Sequence, residues 1–253
     1  MGTGIERDLT FSKMSMIHFR AEFHIHSVLS PCAGIEMIPP WIVEGALSRG
    51  INLIAITDHN ASYNAPAVIK AAEGTDLTVL PGMELETAEE IHSVCLFDTL
   101  EQLAALQEIV DRHLPKIPNN VDFFGSQLVV DEEGEFVRFE DRLLINSTRI
   151  SLQDACKIVT KLGGLFIPAH VDREAYGVIS HLGAIPPDLP VEIVEISRYR
   201  TKEACRLKFP ELQKYHLIQS GDVHFLDDFL GANEFYAQDA SLRSIKEALI
   251  AQF

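Results

Sequence analysis

Paired cysteines, basic charge and long apolar runs are all scarce in this 253-residue chain. The four cysteines, Cys32, Cys95, Cys156 and Cys205, are scattered with no CxxC spacing. Neither a zinc ribbon nor a disulfide scaffold is supported. Lys and Arg number 21 against 37 Asp and Glu, a formal charge of −16. A chain this acidic repels long polyanions, which argues against broad nucleic-acid or membrane-surface binding. No apolar stretch approaches the roughly 20 residues that span a bilayer. The opening MGTGIERDLTFSKMSMIHFR has no apolar leader core, so a cytoplasmic protein is expected. No internal repeat, linker or low-complexity segment stands out.

What is present is an ordinary globular composition, 47% hydrophobic and 23% charged, with ten histidines. Residues 1–18 read as an N-terminal extension and 19–253 as a single domain. Phe19–His26 alternates as a strand does, and Ile51–Thr57 is a nearly continuous apolar run, typical of a buried parallel strand. Further strands are expected at Leu77–Leu80, His92–Phe97, Leu165–Ala169, Val191–Ser197 and His216–Gln219. Helices are expected at Pro39–Arg49 and Pro66–Glu73. Another runs from Thr99 to His113, opened by a Thr99/Gln102 capping box. Ser151–Leu162 and Ser241–Gln252 complete the set. Residues 115–150 are the least regular and suit a hairpin or an excursion over a site. Strand–helix alternation over the whole length predicts an α/β barrel or wrapped parallel sheet.

The ionisable residues gather at strand termini. His24 and His26 sit two apart, so both imidazoles can face one side of a strand. Asp58 and His59 follow the second buried strand, and Glu84 lies beyond the third. His92 opens the fourth, His170 ends LFIPAH, and Asp222 and His224 are again two apart. Each piece alone has an ordinary reading as a polar strand position, a capped turn or a solvated loop. Their conjunction points to one mouth of a barrel, where active sites of parallel α/β barrels collect. His18, His113, His181 and His216 lack such partners. Imidazole and carboxylate are ligands for Zn²⁺, Mn²⁺ and Fe²⁺. Neighbouring cations activate water and clamp an in-line displacement, which suits phosphate-ester hydrolysis.

The ordered motifs His24-Ile25-His26, Thr57-Asp58-His59, Gly82-Met83-Glu84, His92, Ala169-His170 and Asp222-Val223-His224 resemble the polymerase and histidinol phosphatase (PHP) superfamily. The resemblance covers about residues 19–230. It implies a distorted (β/α)7 barrel with the metal site at the C-terminal ends of the strands. It further implies that His24, His26, Glu84 and Asp222 hold one metal. Glu84 would bridge to a second, completed by His92 and His170, and His59 and His224 would hold a third. Asp58 would orient a ligand from behind, and a bridging hydroxide would attack. Asp58, Glu84 and Asp222 are thus the candidate catalytic carboxylates. Where many relatives carry an Asp or His after HxH, this chain has Ser30-Pro31-Cys32. Cys32 is either a thiolate ligand, favouring a softer metal, or a structural cysteine.

Two or three divalent ions (zinc, manganese or iron) are the expected cofactors. Three of them against Glu84, Asp222 and a Cys32 thiolate would leave about +3 locally, enough to attract phosphate. Arg173 and Arg198 are candidate phosphate contacts, with surface ion pairing as the competing role. Phe123, Phe124 and Tyr176 could stack a base, with packing as theirs. The expected partner is a small phosphorylated substrate or short nucleotide, without stable duplex binding and without a membrane. The oligomeric state stays open. The competing readings are a non-catalytic metal-binding sensor or scaffold, and amidohydrolase chemistry on a similar barrel.

Overall fold

The computed structural model describes residues 16–251. Most of the expected N-terminal extension, residues 1–15, lies outside the described residues. The first strand, β1 (Ile17–Ile25), begins within the span assigned to that extension. Alternation in β1 buries Phe19, Ala21 and Phe23 on one side, with Glu22 and His24 buried on the other. Helix α1 (Pro39–Ser48) opens on two prolines, whose fixed φ suits a first helical turn. Then follow β2 (Leu53–Ile56), buried throughout, and α2 (Ala65–Ala71).

Strand β3 (Thr78–Glu86) runs straight through Pro81-Gly82, where the sequence suggested a break. Pro81 gives only its carbonyl to the ladder, accepting from the Phe97 amide at 2.9 Å. Having no N–H to return to that pair, Pro81 joins the ladder through its carbonyl alone. Strand β4 (His92–Leu96) pairs with β3 antiparallel, Glu86 opposite His92. Helix α3 (Leu100–His113) carries the Thr99/Gln102 capping box.

The irregular segment holds a short helix, α4 (Val121–Phe124), and the antiparallel hairpin of β5 (Leu128–Val130) and β6 (Phe136–Phe139). Helix α5 (Leu152–Lys161) starts at Ser151, whose side chain accepts from Asp154 N. Strand β7 (Leu165–Pro168), helix α6 (Val178–Leu182), strand β8 (Ile193–Ile196) and helix α7 (Lys202–Lys208) follow. The chain closes with β9 (His216–Gln219), β10 (Asn233–Ala237) and α8 (Leu242–Ala251).

Six strands form one sheet in the order β10-β1-β2-β3-β4-β7, and β8 pairs with β9 in parallel. Single contacts join the two sheets. Val171 N donates to Glu195 O at 2.9 Å, linking the end of β7 to β8. The Asn233 side-chain amide meets both Gln219 N (2.9 Å) and Gln219 O (2.8 Å), standing in for a backbone ladder between β9 and β10. The result is a distorted α/β barrel. Two strands depart from the parallel pattern, since β4 and β10 run against their neighbours. The reversal of β4 explains why His92 opens its strand. The N-terminal end of β4 lies with the C-terminal ends of β2, β3 and β7. No helix among the described residues is long and apolar enough to cross a membrane.

Candidate metal centre

Glu84 is the hub. It projects from β3 and is 1% exposed. Its Oε1 lies 3.1 Å from His24 Nε2, 2.8 Å from His92 Nδ1 and 3.2 Å from His170 Nε2. Its Oε2 lies 2.9 Å from His59 Nδ1 and 3.4 Å from His26 Nε2. Asp222 Oδ1 completes the inner side, 3.4 Å from His24 Nε2 and 3.3 Å from His26 Nε2.

The polypeptide fixes each of these groups from behind. His24 Nδ1 lies 2.9 Å from Glu195 Oε1, and His26 Nδ1 lies 3.0 Å from Ser30 Oγ. His224 Nδ1 lies 2.8 Å from Asp222 O. An Nδ1 proton held this way leaves the Nε2 lone pair directed inward, the usual arrangement behind a metal-binding imidazole. His59 and Glu84 are locked together by backbone bonds, Glu84 N to Asp58 O (3.1 Å) and Asn60 N to Glu84 O (2.9 Å). Tyr176 stacks on His92 with ring centroids 4.2 Å apart and planes inclined by 9°. The backbone is strained at the same place. Of the five described non-glycine residues with positive φ, Asn60, His170, Tyr176 and Asp222 belong to this centre or adjoin it, as strain held by surrounding structure at a functional site would have it.

Asp58 turns away from the centre. Its Oδ1 accepts from Ser27 N and Ser30 Oγ, both at 2.7 Å, and its Oδ2 accepts from Ser27 Oγ at 2.7 Å. It orders the loop after HxH, and Ser30 passes that order on to His26.

The buried carboxylates and imidazoles shift one another's protonation. Burial would raise the Glu84 carboxyl, but His92, His24, His59 and the His170 hydrogen bond hold it well below its ordinary value. Burial would likewise raise Asp222, and His24 and His26 keep it low. His24 and His26 are driven apart. Burial would depress His24, yet Glu84, Glu195 and Asp222 lift it well above the histidine range. Burial with His224 and His59 holds His26 well below that range.

Three sets of side chains could each surround a cation: His24, His26, Glu84 and Asp222; His59, Glu84 and His92; and His26, His59 and His224. The donor chemistry fits divalent first-row metals. A second observation agrees. His24 Nε2, His26 Nε2, His59 Nδ1 and Glu84 Oε2 are buried without a hydrogen-bond partner, although each of the three imidazole nitrogens lies within 3.4 Å of a Glu84 carboxylate oxygen. Buried polar atoms left in that state are costly, and a shared cation would satisfy them together. His170 reaches Glu84 but falls outside the three compact sets. Cys32, also outside them, is exposed and in contact with His59 and His224. Burial would raise its thiol, but those two imidazoles bring it down to about 6.

A cavity of ≈ 210 Å³ opens over the centre, with Cys32, Ile145, Arg173 and Tyr176 on its walls. Arg173 Nη1 donates to Asp222 Oδ2 at 2.5 Å, and Arg198 Nη1 to Asp228 Oδ1 at 2.6 Å. Both arginines are thus ion-paired, Arg173 inside the cavity and Arg198 beside it. Phe123 and Phe124 pack edge-on against each other on α4 and do not line the cavity. His113 and His181 are tied to Ile109 O and Gly177 O, away from the centre.

Two carboxylates escaped the reading of the sequence. Glu195 lies inside the apolar run IVEI, and Glu86 approaches His92 Nε2 at 3.5 Å. A lone Glu in a strand buried on both faces was the available signal for the first.

A family profile of the PHP domain matches residues 22–181, and no curated protein matches the chain. Among solved structures, the lesion-specific endonuclease PfuEndoQ of Pyrococcus furiosus superposes with a TM-score of 0.68 at 17% identity. That match covers 93% of this chain and 56% of the other. Endonuclease Q in complex with a 27-mer duplex bearing an abasic lesion gives a TM-score of 0.66 at 16% identity, over 94% and 57% of the two chains. The chain therefore spans little more than half the length of these relatives. A Bifidobacterium adolescentis protein assigned as a metal-dependent phosphoesterase gives a TM-score of 0.58 at 16% identity, over 91% of this chain and 95% of that one. With the family profile covering more than half of its length, the chain belongs to the PHP domain family.

Proposed function

We propose that the protein hydrolyses a small phosphomonoester or nucleotide phosphate at a centre of two or three divalent cations, zinc, manganese or iron. The observation that carries this reading is Glu84, one buried carboxylate facing five imidazole nitrogens within 3.4 Å. His24, His26, Glu84 and Asp222 would hold one cation. Glu84, His92 and His170, with His59 in reach, would hold a second. His59, His224 and Cys32 would hold a third. Bound there, the cations would supply water acidified to near neutral pH and neutralise the charge of the phosphate.

The chain's own groups do the rest. Glu195 and Ser30 keep the Nδ1 protons of His24 and His26 outside the centre. Asp58 holds the loop that positions Ser30. Arg173 stands at the cavity wall where a phosphate oxygen could exchange for part of its contact with Asp222. Hydrolysis adds hydroxyl to phosphorus and delivers the proton to the departing ester oxygen.

A duplex DNA substrate is the second reading, favoured by the likeness to the Endonuclease Q complex. The formal charge of −16 weighs toward the shorter substrate.

The test pairs elemental analysis with aryl-phosphate turnover in the wild type and in Glu84→Gln. About two or three bound ions and a loss of at least about 100-fold in the variant are expected, roughly 2.7 kcal/mol of barrier. Metal absent under every condition, or turnover indifferent to Glu84, would overturn the proposal. Turnover of a lactone or amide in place of the phosphate would transfer the chain to amidohydrolase chemistry.

A further inference from the structure

His92 is turned the other way round from His24 and His26. Those two meet Glu84 through Nε2 and are held at Nδ1. His92 directs Nδ1 at Glu84 Oε1, 2.8 Å away. Its Nε2 is buried and makes no conventional hydrogen bond, but Glu86 Oε2 lies 3.5 Å from it. At that distance a carboxylate attracts an N–H without forming a full hydrogen bond.

Glu86 is itself fixed. It is buried, two residues beyond Glu84 on β3, so both carboxylates leave the same face of the strand. Its Oε1 accepts from Ser147 Oγ at 2.8 Å. Its amide donates to Asn60 Oδ1 at 2.9 Å, and its carbonyl accepts from Thr148 N at 3.0 Å and Thr148 Oγ1 at 2.8 Å. Ser147 and Thr148 belong to the irregular chain between β6 and α5, which therefore reaches His92 through Glu86. Tyr176 stacks on the face of the same ring, and its carbonyl accepts from His92 N at 3.0 Å.

Half a turn of the ring about Cβ–Cγ would exchange Nδ1 for Cδ2 and Nε2 for Cε1. Glu84 would then face carbon, and His92 would offer no lone pair to a cation shared with it. An acceptor beside Nε2 opposes that turn, because only nitrogen brings it an N–H. The tautomer with its proton on Nε2 also leaves the Nδ1 lone pair free for a metal.

We propose that Glu86 is the positioning residue for His92. It selects the ring orientation that makes Nδ1 the ligand atom at the site shared with Glu84 and His59. The proposal rests on the metal-dependent reading of the centre, and it concerns how one ligand is presented, not which bond is cleaved.

Glu86→Gln keeps an oxygen beside Nε2, whereas Glu86→Met keeps an unbranched buried side chain without a strong acceptor. Zinc is the probe, added to the full chain. Its stoichiometry is read by elemental analysis, its affinity by chelator competition, and the nitrogen that binds it by nitrogen-15 NMR of the imidazoles. Urea midpoints report the fold. In the wild type His92 should bind zinc through Nδ1. In Glu86→Met one zinc should bind about 10–100-fold more weakly, and Glu86→Gln should lose clearly less. Zinc on His92 Nε2 in the wild type, or unchanged zinc binding in Glu86→Met, would overturn the assignment. Equal losses in the two variants with equally lowered urea midpoints would do so as well, leaving Glu86 as a structural group of β3. A wild-type chain that binds no divalent metal would overturn both this proposal and the hydrolytic reading. One that binds zinc through His92 Nδ1, responds to Glu86→Met as expected and cleaves no phosphate ester would remove the hydrolytic reading alone.

Discussion

Glu195 Oε1 lies 2.9 Å from His24 Nδ1 and 3.2 Å from His170 N. One buried carboxylate on β8 thus orients an imidazole on β1 and the strained backbone that presents another. Glu195→Gln removes the charge while keeping an oxygen that can accept from Nδ1. Metal affinity should fall by about 10–100-fold, the usual cost of losing a partner behind a metal-binding histidine. A chelator-competition titration reads it, alongside circular dichroism to check the fold. Unchanged affinity would make Glu195 a packing group only.

Cys32 alone of the four described cysteines reaches the surface, while its thiol is shielded against His59 and His224. His59 and His224 outweigh its burial and bring its thiol to about 6, so it is largely thiolate at neutral pH. Metal-free protein should be alkylated by iodoacetamide first at this residue, with a pH midpoint near 6 and faster than a free thiol of pKa about 8.5 would be at pH 7. Added zinc should slow the reaction. Alkylation unaffected by zinc would exclude the thiolate as a ligand. Peptide mass spectrometry distinguishes it from Cys95, Cys156 and Cys205.

Most of this centre could be read from residue order, because the chemistry sits in short motifs at strand ends. His24, His26, His59, His92, His170, Glu84, Asp222 and His224 all converge in space. What stayed hidden depends on contacts remote in sequence. Glu195 is 171 positions from His24, and nothing local to IVEI names that partner. Strand β3 continues through Pro81-Gly82 to Glu86, although both residues are breakers in isolation, because the barrel accommodates each. Asn233 at the start of β10 is a residue type common in turns, and no local pattern marks the strand. The Asn233 side chain instead bridges to Gln219.

Glu22 sits on β1 with its carboxylate fully buried, accepting from Gly221 N (3.0 Å), Leu230 N (3.2 Å) and Gly231 N (3.2 Å). Burial raises it from 4.5 to about 7 despite those three bonds, and Glu195 adds to the rise. The folded chain therefore holds a proton that the unfolded chain releases between about 4.5 and 7. For an acid shifted upward, the stabilisation is full below the unfolded value and is lost as pH rises through the folded one. The span corresponds to about 3 kcal/mol. Glu22→Gln does not titrate, so the stability advantage of the wild type over this variant should shrink from pH 5 to pH 8 (a window containing most of that loss, roughly). Urea unfolding of both proteins at the two pH values measures it, and comparison with the variant cancels much of the titration elsewhere. An advantage that grows or stays constant would contradict the assignment.

Gly82 lies two residues before Glu84 in the middle of the sheet. A Cβ there would meet Thr57 Cγ2 at 2.8 Å, Ile56 O at 2.9 Å and Cys95 O at 3.2 Å. Two of those atoms are backbone of β2 and of β4, which cannot turn aside as a flexible side chain can. Gly82→Ala must therefore spread β3 from its neighbours. The expected cost is about 1–3 kcal/mol, as for an overpacked core site, read as a lower urea midpoint with an unchanged slope. The same spreading would move Glu84 away from His59 and His92, which approach it from the two flanking sides. Metal affinity should fall together with stability. A stable Gly82→Ala protein with wild-type metal affinity would show that the strand spacing around Glu84 is not what fixes the centre.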